Sequence, residues 1–208
     1  MLVLHYTGMQ SVEAALARLC DKVAKVSAHY VVDEDGTLYA LVDEQNRAWH
    51  AGTSFWRGAT GLNDRSIGIE IANPGHEFGY RPFPPAQMWA VRELCRGILM
   101  RWPGIPARNV VAHSDVAPNR KQDPGELFDW RGLAAAGIGL WTDSFVPPGD
   151  LGADLAAIGY DMDLAEADVI TAFQRHFLPD HLTCVADRQT AGRAAALRAQ
   201  FDQSIDQS

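Results

Sequence analysis

Leu2-Val3-Leu4-His5-Tyr6-Thr7 opens the chain with an apolar run and a histidine directly behind it. Val110-Val111-Ala112-His113-Ser114-Asp115 repeats that arrangement far downstream. Short apolar runs of this kind read as buried strands, and histidines at two strand ends can meet over a shared sheet. Asp123, in Lys121-Gln122-Asp123-Pro124-Gly125, follows His113 by ten residues through a loop bent by Pro118 and Pro124. Two imidazoles and a carboxylate are a normal ligand set for a catalytic zinc, with a fourth position left for water. Each residue alone has an ordinary alternative: a histidine packs or faces solvent, and an aspartate before proline starts a turn. Their surroundings decide between the two.

Outward from these strands, Ser66 to Ala72 alternates, with Ile67, Ile69 and Ile71 on one face and Gly68 and Glu70 on the other. Val12, Ala15, Leu16, Leu19, Cys20 and Val23 recur at helical spacing behind Ser11, a suitable N-cap. Val31-Val32 and Leu38–Val42 flank Asp33-Glu34-Asp35-Gly36, a hairpin signal. Residues 46–64 carry no periodicity and read as a long structured loop. Pro84-Pro85 starts a helix whose buried stripe is Met88, Val91, Cys95, Ile98 and Leu99. A short helix is expected over Leu127–Ala136. The fold class is α/β (α+β), a mixed central β-sheet flanked by helices. Pro147-Pro148-Gly149-Asp150 reads as a linker, dividing the chain into residues 1–144 and residues 145–208. Three helices are expected in the second part, over Leu151–Ile158, Glu166–His176 and Gln189–Phe201.

The chain has 208 residues and a net charge of −8. Residues 145–208 hold four Arg, no Lys and ten Asp/Glu, a net of −6, so the body is near neutral. That balance argues against nucleic acid or an anionic membrane as partner. No apolar run approaches the roughly 18 residues of a membrane span, and no signal peptide is visible before His5. Cys20, Cys95 and Cys184 are odd in number and far apart, which suits a reducing cytosol. Cys20 and Cys95 fall on apolar helix stripes, and all three cysteines read as structural. A cytoplasmic location is therefore expected, or a periplasmic one if the N-terminus is truncated.

Six segments occur in a fixed order: Leu4-His5-Tyr6-Thr7, Ser27-Ala28-His29-Tyr30, Ala48-Trp49-His50-Ala51-Gly52, Ser66–Ile71, Val111–Pro118 and Arg120–Gly125. Together they resemble the zinc-dependent N-acetylmuramoyl-L-alanine amidases of the AmpD/AmiD type, a family that shares its fold with peptidoglycan-recognition proteins. Trp56-Arg57-Gly58-Ala59-Thr60 and Gly137–Trp141 place the resemblance closest to the AmiD branch. It implies one zinc per chain on His5, His113 and Asp123, with Glu70 as general base. Lys121 lies two residues before Asp123, so an extended segment points both side chains the same way and sets its ammonium to stabilise a developing oxyanion; the alternative is a solvated Arg120-Lys121 pair. Tyr30 matches a tyrosine that serves near the zinc in phage and recognition-protein relatives. His29, Tyr30, Trp49, His50, Trp56, Arg57 and Asn73 are the candidate substrate-contacting residues. Ile158-Gly159-Tyr160-Asp161 and Ala172–Phe177 resemble the three-helix peptidoglycan-binding module often fused to such amidases; the alternative is a helical appendage that only packs on the enzyme, and docking onto residues 1–144 is expected in either case.

The implied substrates are muropeptides and peptidoglycan fragments, with the 1,6-anhydro form of the sugar favoured in cell-wall recycling. Two alternatives accompany this reading: a non-catalytic peptidoglycan-binding or sensing protein, and an envelope amidase acting on intact peptidoglycan. A serine hydrolase is set aside, because no G-x-S-x-G turn is present and Ser114 points away from its neighbour His113 on a strand.

Overall fold

Alternation along the strands divides their side chains between two faces, and the chain builds one core on each. The computed structural model describes residues 1–205, with side chains to residue 200. Its strands are β1 (Leu2–Tyr6), β2 (Tyr30–Val32), β3 (Leu38–Ala40), β4 (Phe55–Trp56), β5 (Ala59–Thr60), β6 (Ile67–Ile71) and β7 (Val110–Ala112). Five of them form the main sheet in the order β3-β2-β6-β1-β7. β2, β6, β1 and β7 run parallel, and β3 returns antiparallel to β2 as the expected hairpin. The sheet is mixed, as the sequence implies.

Leu2, Leu4, Ile67, Ile69, Ile71, Val110 and Ala112 face one way, onto Val91, Leu94, Cys95 and Ile98 of α3 (Pro85–Arg101). Val3 and Val111 face the other way, into a second core with Ala51, Trp56 and Leu62. That core is completed by α6 (Leu151–Ile158), α7 (Glu166–Phe177) and α8 (Arg188–Ile205), through Leu155, Ile158, Phe173, Phe177 and Leu197. α1 (Val12–Cys20) covers Val31 nearer the β2 edge, with Ser11 Oγ accepting the Ala14 N–H at 3.2 Å. The short helices α2 (Gly75–Phe78), α4 (His113–Val116) and α5 (Trp130–Ala135) punctuate the loops between.

The C-terminal helices are fastened to the sheet by a buried polar knot as well as by apolar packing. Asp115 on α4 accepts the Tyr160 hydroxyl at Oδ1 and the Ala112 N–H at Oδ2, at 2.6 and 2.8 Å. His176 Nδ1 lies 2.6 Å from the same Oδ2, its ring stacked on Trp130. Ile158, Tyr160, Phe173 and Phe177, which carry the similarity to a peptidoglycan-binding module, are all buried in this docking.

Three expectations are corrected here. The segment 46–64 is not all loop: β4 and β5 form a tight hairpin, with Arg57 and Gly58 at φ of 51° and 78°. Paired positive φ values fit the twist of a two-residue hairpin turn. Cys95 is buried, but Cys20 and Cys184 are exposed; α1 ends at Cys20, before Val23 could extend its stripe. Among the described residues no helix is long and apolar enough to cross a membrane.

Tyr160→Phe keeps the ring against Trp56 and Phe173 but leaves Asp115 Oδ1 without its donor. Loss of a hydrogen bond to a buried carboxylate is expected to lower unfolding free energy by about 1.5–3 kcal/mol. Urea denaturation of wild type and variant measures it, and a change under about 0.5 kcal/mol would be that of an ordinary surface substitution.

Candidate active site

The carboxyl ends of β1, β6 and β7 carry the chemistry. His5 shares the face of Val3, and Glu70 lies directly across from it in the β1–β6 register. His113 follows β7 and opens α4. The loop after α4 folds back so that the Ser114 N–H donates to the Asp123 carbonyl at 3.0 Å. That bond brings the Asp123 side chain over the same strand ends.

The result is a triangle of ligand-capable atoms. His5 Nδ1 lies 2.8 Å from His113 Nδ1, and Asp123 Oδ2 lies 3.1 Å from the first and 2.9 Å from the second. Around a tetrahedral zinc, ligand atoms at about 2.0–2.1 Å from the metal stand roughly 3.3 Å from each other. The triangle is therefore close to the size a metal ion requires, and its three residues can hold one. His5 Nε2 and His113 Nε2 face other partners, His50 Nδ1 at 3.0 Å and the Ala51 carbonyl at 3.2 Å. Three lone-pair atoms thus converge where a cation could satisfy them all.

All three residues are buried, and burial sets their electrostatics. It pushes the His5 imidazole down to about 4, with His113 beside it adding to the effect. For Asp123 burial acts in the opposite sense, but His113 and His5 outweigh it and hold the carboxyl well below its usual range.

A cleft of about 560 Å³ opens beside the triangle, lined by Tyr6, Trp49, Glu70, Lys121 and Gln122 among others. Glu70 keeps partial access to it, while its Oε2 is shut from solvent and has no hydrogen-bond partner. Burial raises its carboxyl well above the ordinary value, Asp123 adds to the rise, and Lys121 opposes it. A carboxyl so placed is suited to carrying a proton. Lys121 has no carboxylate within ion-pair reach among the described residues.

Of the expected substrate contacts, Trp49 presents an open face to the cleft, half exposed, with the Arg47 guanidinium 5.5 Å from its ring. His50 also borders the cleft, and the other five are corrected. Tyr30 pairs with Ile69 in the β2–β6 register and so lies on the opposite face from Glu70; its hydroxyl donates to Glu44 at 2.8 Å. His29 is buried behind the site, with Nδ1 accepting the Gly68 N–H and Nε2 facing the Asn46 carbonyl. Trp56 is core, its indole N–H donating to the Arg108 carbonyl at 3.2 Å. Arg57 donates to the Ala157 and Ile158 carbonyls at the end of α6, a cation at a helix C-terminus. Asn73 is spent on its own loop, donating to the Arg81 carbonyl and accepting from the Gly75 N–H. His50 borders the cleft, but both ring nitrogens are engaged, with His5 and with Ser66.

Residues that pattern reading did not single out support this arrangement. Asn63 Oδ1 accepts the N–H groups of His50 and Ala51, at 3.1 and 2.8 Å. Arg120 donates to the Ala51 and Thr53 carbonyls. Neither sits at a periodic position, and only the folded loop brings them in.

The site and sheet are those of a peptidoglycan amidase. The chain belongs to the N-acetylmuramoyl-L-alanine amidase family, whose model matches residues 1–126. It is a hydrolase of the amide between N-acetylmuramic acid and L-alanine. Its sequence is 41% identical to AmiD of Escherichia coli K12, over 98% of this chain and 83% of that protein. The structure of E. coli AmiD with anhydro-N-acetylmuramic acid-L-Ala-D-gamma-Glu-L-Lys matches at TM-score 0.85 and 40% identity, over 98% of this chain and 90% of that one. AmpDh3 of Pseudomonas aeruginosa in complex with anhydromuramic pentapeptide matches at TM-score 0.86 and 33% identity, over 97% and 91%. AmpD of Haemophilus influenzae, a 1,6-anhydro-N-acetylmuramyl-L-alanine amidase, is 39% identical over 51% of this chain and 55% of its own length.

Two outcomes follow. His113→Ala removes a corner of the triangle and is expected to leave less than about a tenth of the bound metal after dialysis, as breaking a three-residue site should; elemental analysis reads it. Glu44, on the far face, is pulled from 4.5 to about 2 by Arg101, with Trp102 and Tyr30 donating as well and burial opposing. A depressed folded-state value stabilises the fold above the unfolded one, and that stability is lost as pH falls from about 4.5 toward 2. The gap in unfolding free energy between wild type and Glu44→Gln should therefore narrow from about pH 6 to pH 3.

Proposed function

We propose that the chain is a zinc-dependent amidase of peptidoglycan recycling, acting on soluble 1,6-anhydro-N-acetylmuramyl peptides. The observation that carries this is the triangle of His5, His113 and Asp123 atoms, none more than 3.1 Å from another, with Glu70 and Lys121 on the same cleft. The anhydro sugar is supported by the substrates named in the AmiD and AmpDh3 complexes and by the activity named for AmpD.

His5, His113 and Asp123 would hold one zinc, which supplies Lewis acidity toward water and the scissile carbonyl. Glu70, with its raised affinity for protons, takes the proton of the attacking water and delivers it to the departing amide nitrogen. Lys121 places its ammonium beside the oxygen that becomes negative. Trp49 offers an aromatic wall on which a sugar ring or peptide can lie. The C-terminal helices serve as a docked part of the enzyme, since the side chains that resemble a glycan-binding module are buried against it. A cytosolic place of action belongs to the same proposal, supported by three cysteines that form no disulfide; recovery of the native protein from a periplasmic or membrane fraction would contradict it.

The test is mass spectrometry of products from 1,6-anhydro-N-acetylmuramyl-tripeptide and, separately, from intact sacculi, with chelated and zinc-restored controls. Release of L-Ala-headed peptide from the soluble fragment alone is expected. Release from sacculi as well would make it a broad envelope-type amidase, and release from neither would overturn the catalytic reading. Glu70→Gln should keep its zinc and lose about 10²–10⁴-fold in kcat; an unchanged kcat removes Glu70 from the mechanism.

A further inference from the structure

His50 lies behind the metal-ligand triangle, and the hydrogen bonds around it have only one consistent direction. They end on the Leu62 carbonyl, which can only accept. Ser66 Oγ lies 2.5 Å from that oxygen and so spends its single proton there. Ser66 Oγ must then accept from His50 Nε2, 3.2 Å away. With its proton on Nε2, His50 has a lone pair on Nδ1, which accepts from His5 Nε2 at 3.0 Å. His5 is left with a bare Nδ1, the atom that points into the triangle.

The neighbouring residue does the same for the second histidine. The Ala51 carbonyl lies 3.2 Å from His113 Nε2 and takes its proton, leaving His113 Nδ1 bare. Asn63 Oδ1 holds the backbone of both His50 and Ala51, and the Arg120 guanidinium donates to the same Ala51 oxygen. Space for the imidazole comes from Gly68 in β6, where any Cβ would collide with the His50 ring. The His5 and His50 ring planes stand at 83° with centroids 5.1 Å apart, and the two nitrogens between them are 3.0 Å apart.

We propose that His50, Ser66 and the Leu62 carbonyl form a one-way hydrogen-bond chain that fixes His5 as its Nε2–H tautomer and so presents Nδ1 to the metal. The inference rests on the metal-ligand reading of His5, His113 and Asp123. His50 acts here through His5, as a positioning residue. Partners that hold the far nitrogen of a ligating histidine typically affect metal affinity by 10–100-fold.

Zinc affinity measured by competition with a chromophoric chelator tests it on the full chain, using His50→Leu, His50→Asn and Ser66→Ala, with near-ultraviolet circular dichroism confirming each fold. Asparagine can set its Oδ1 where His50 Nδ1 stands, whereas leucine fills the space without an acceptor. His50→Leu should bind zinc about 10–100-fold more weakly, His50→Asn should recover most of that loss, and Ser66→Ala should fall between. In the zinc-free wild type, ¹⁵N NMR of the imidazoles should show His5 protonated at Nε2. Wild-type affinity in His50→Leu, equal loss in both His50 variants, or an Nδ1–H tautomer of His5 would overturn the chain and leave the amidase reading standing. A wild type that binds no zinc would overturn both.

Discussion

The parallel pairing of β1 with β6 puts His5 opposite Glu70, and the site depends on that register. A slip of one residue would send either side chain into the apolar layer under α3, where Leu4 and Ile69 now pack. The register is held because Leu2, Leu4, Ile67, Ile69 and Ile71 must all reach that layer together. The apolar face thus fixes where the polar face presents its histidine and its carboxyl. β7 adds His113 from the other side of β1, so three adjacent strands deliver the chemistry to one end of the sheet, as open parallel sheets commonly do.

The second core explains why the chain continues past Trp141. Val3 and Val111 lie on the site face in a core with Val116 of α4, Trp56 and Leu62, and the C-terminal helices complete that core. Asp115 joins the two parts: it sits two residues beyond His113 and takes both tail donors. Its bond to the Ala112 N–H ties the same carboxylate to the residue before the ligand. Docking of the tail and placement of His113 therefore share one buried group, and an unpaired buried carboxylate would be costly to both.

Much of this was legible in the sequence. Alternation in Ser66–Ala72 sets Glu70 on the face away from the isoleucines, and the apolar runs before His5 and His113 form parallel neighbours. Helix α1 starts where Ser11 caps it, and α3 starts at its prolines. Loop residues were less readable, because residue type does not reveal which way a loop turns. Trp56 and Arg57 look like cleft lining, but the β4–β5 hairpin aims them at α6 and the tail. Tyr30 matches a family position, yet the β2 register points it at Glu44. His50 carries the chemistry of a donor to substrate, and only the placement of Ser66 and Leu62 behind it shows both nitrogens in use. Asn63 and Arg120 act on backbone atoms, which leaves no periodic or compositional trace.

The proposed chemistry requires a single metal held by two imidazoles and one carboxylate. Zinc K-edge X-ray absorption of the purified chain tests that most directly. The expected spectrum has one equivalent of zinc in a shell of nitrogen and oxygen at about 2.0–2.1 Å, with outer-shell scattering from two imidazole rings. A sulfur shell at about 2.3 Å, a single imidazole, or no stoichiometric zinc would contradict it.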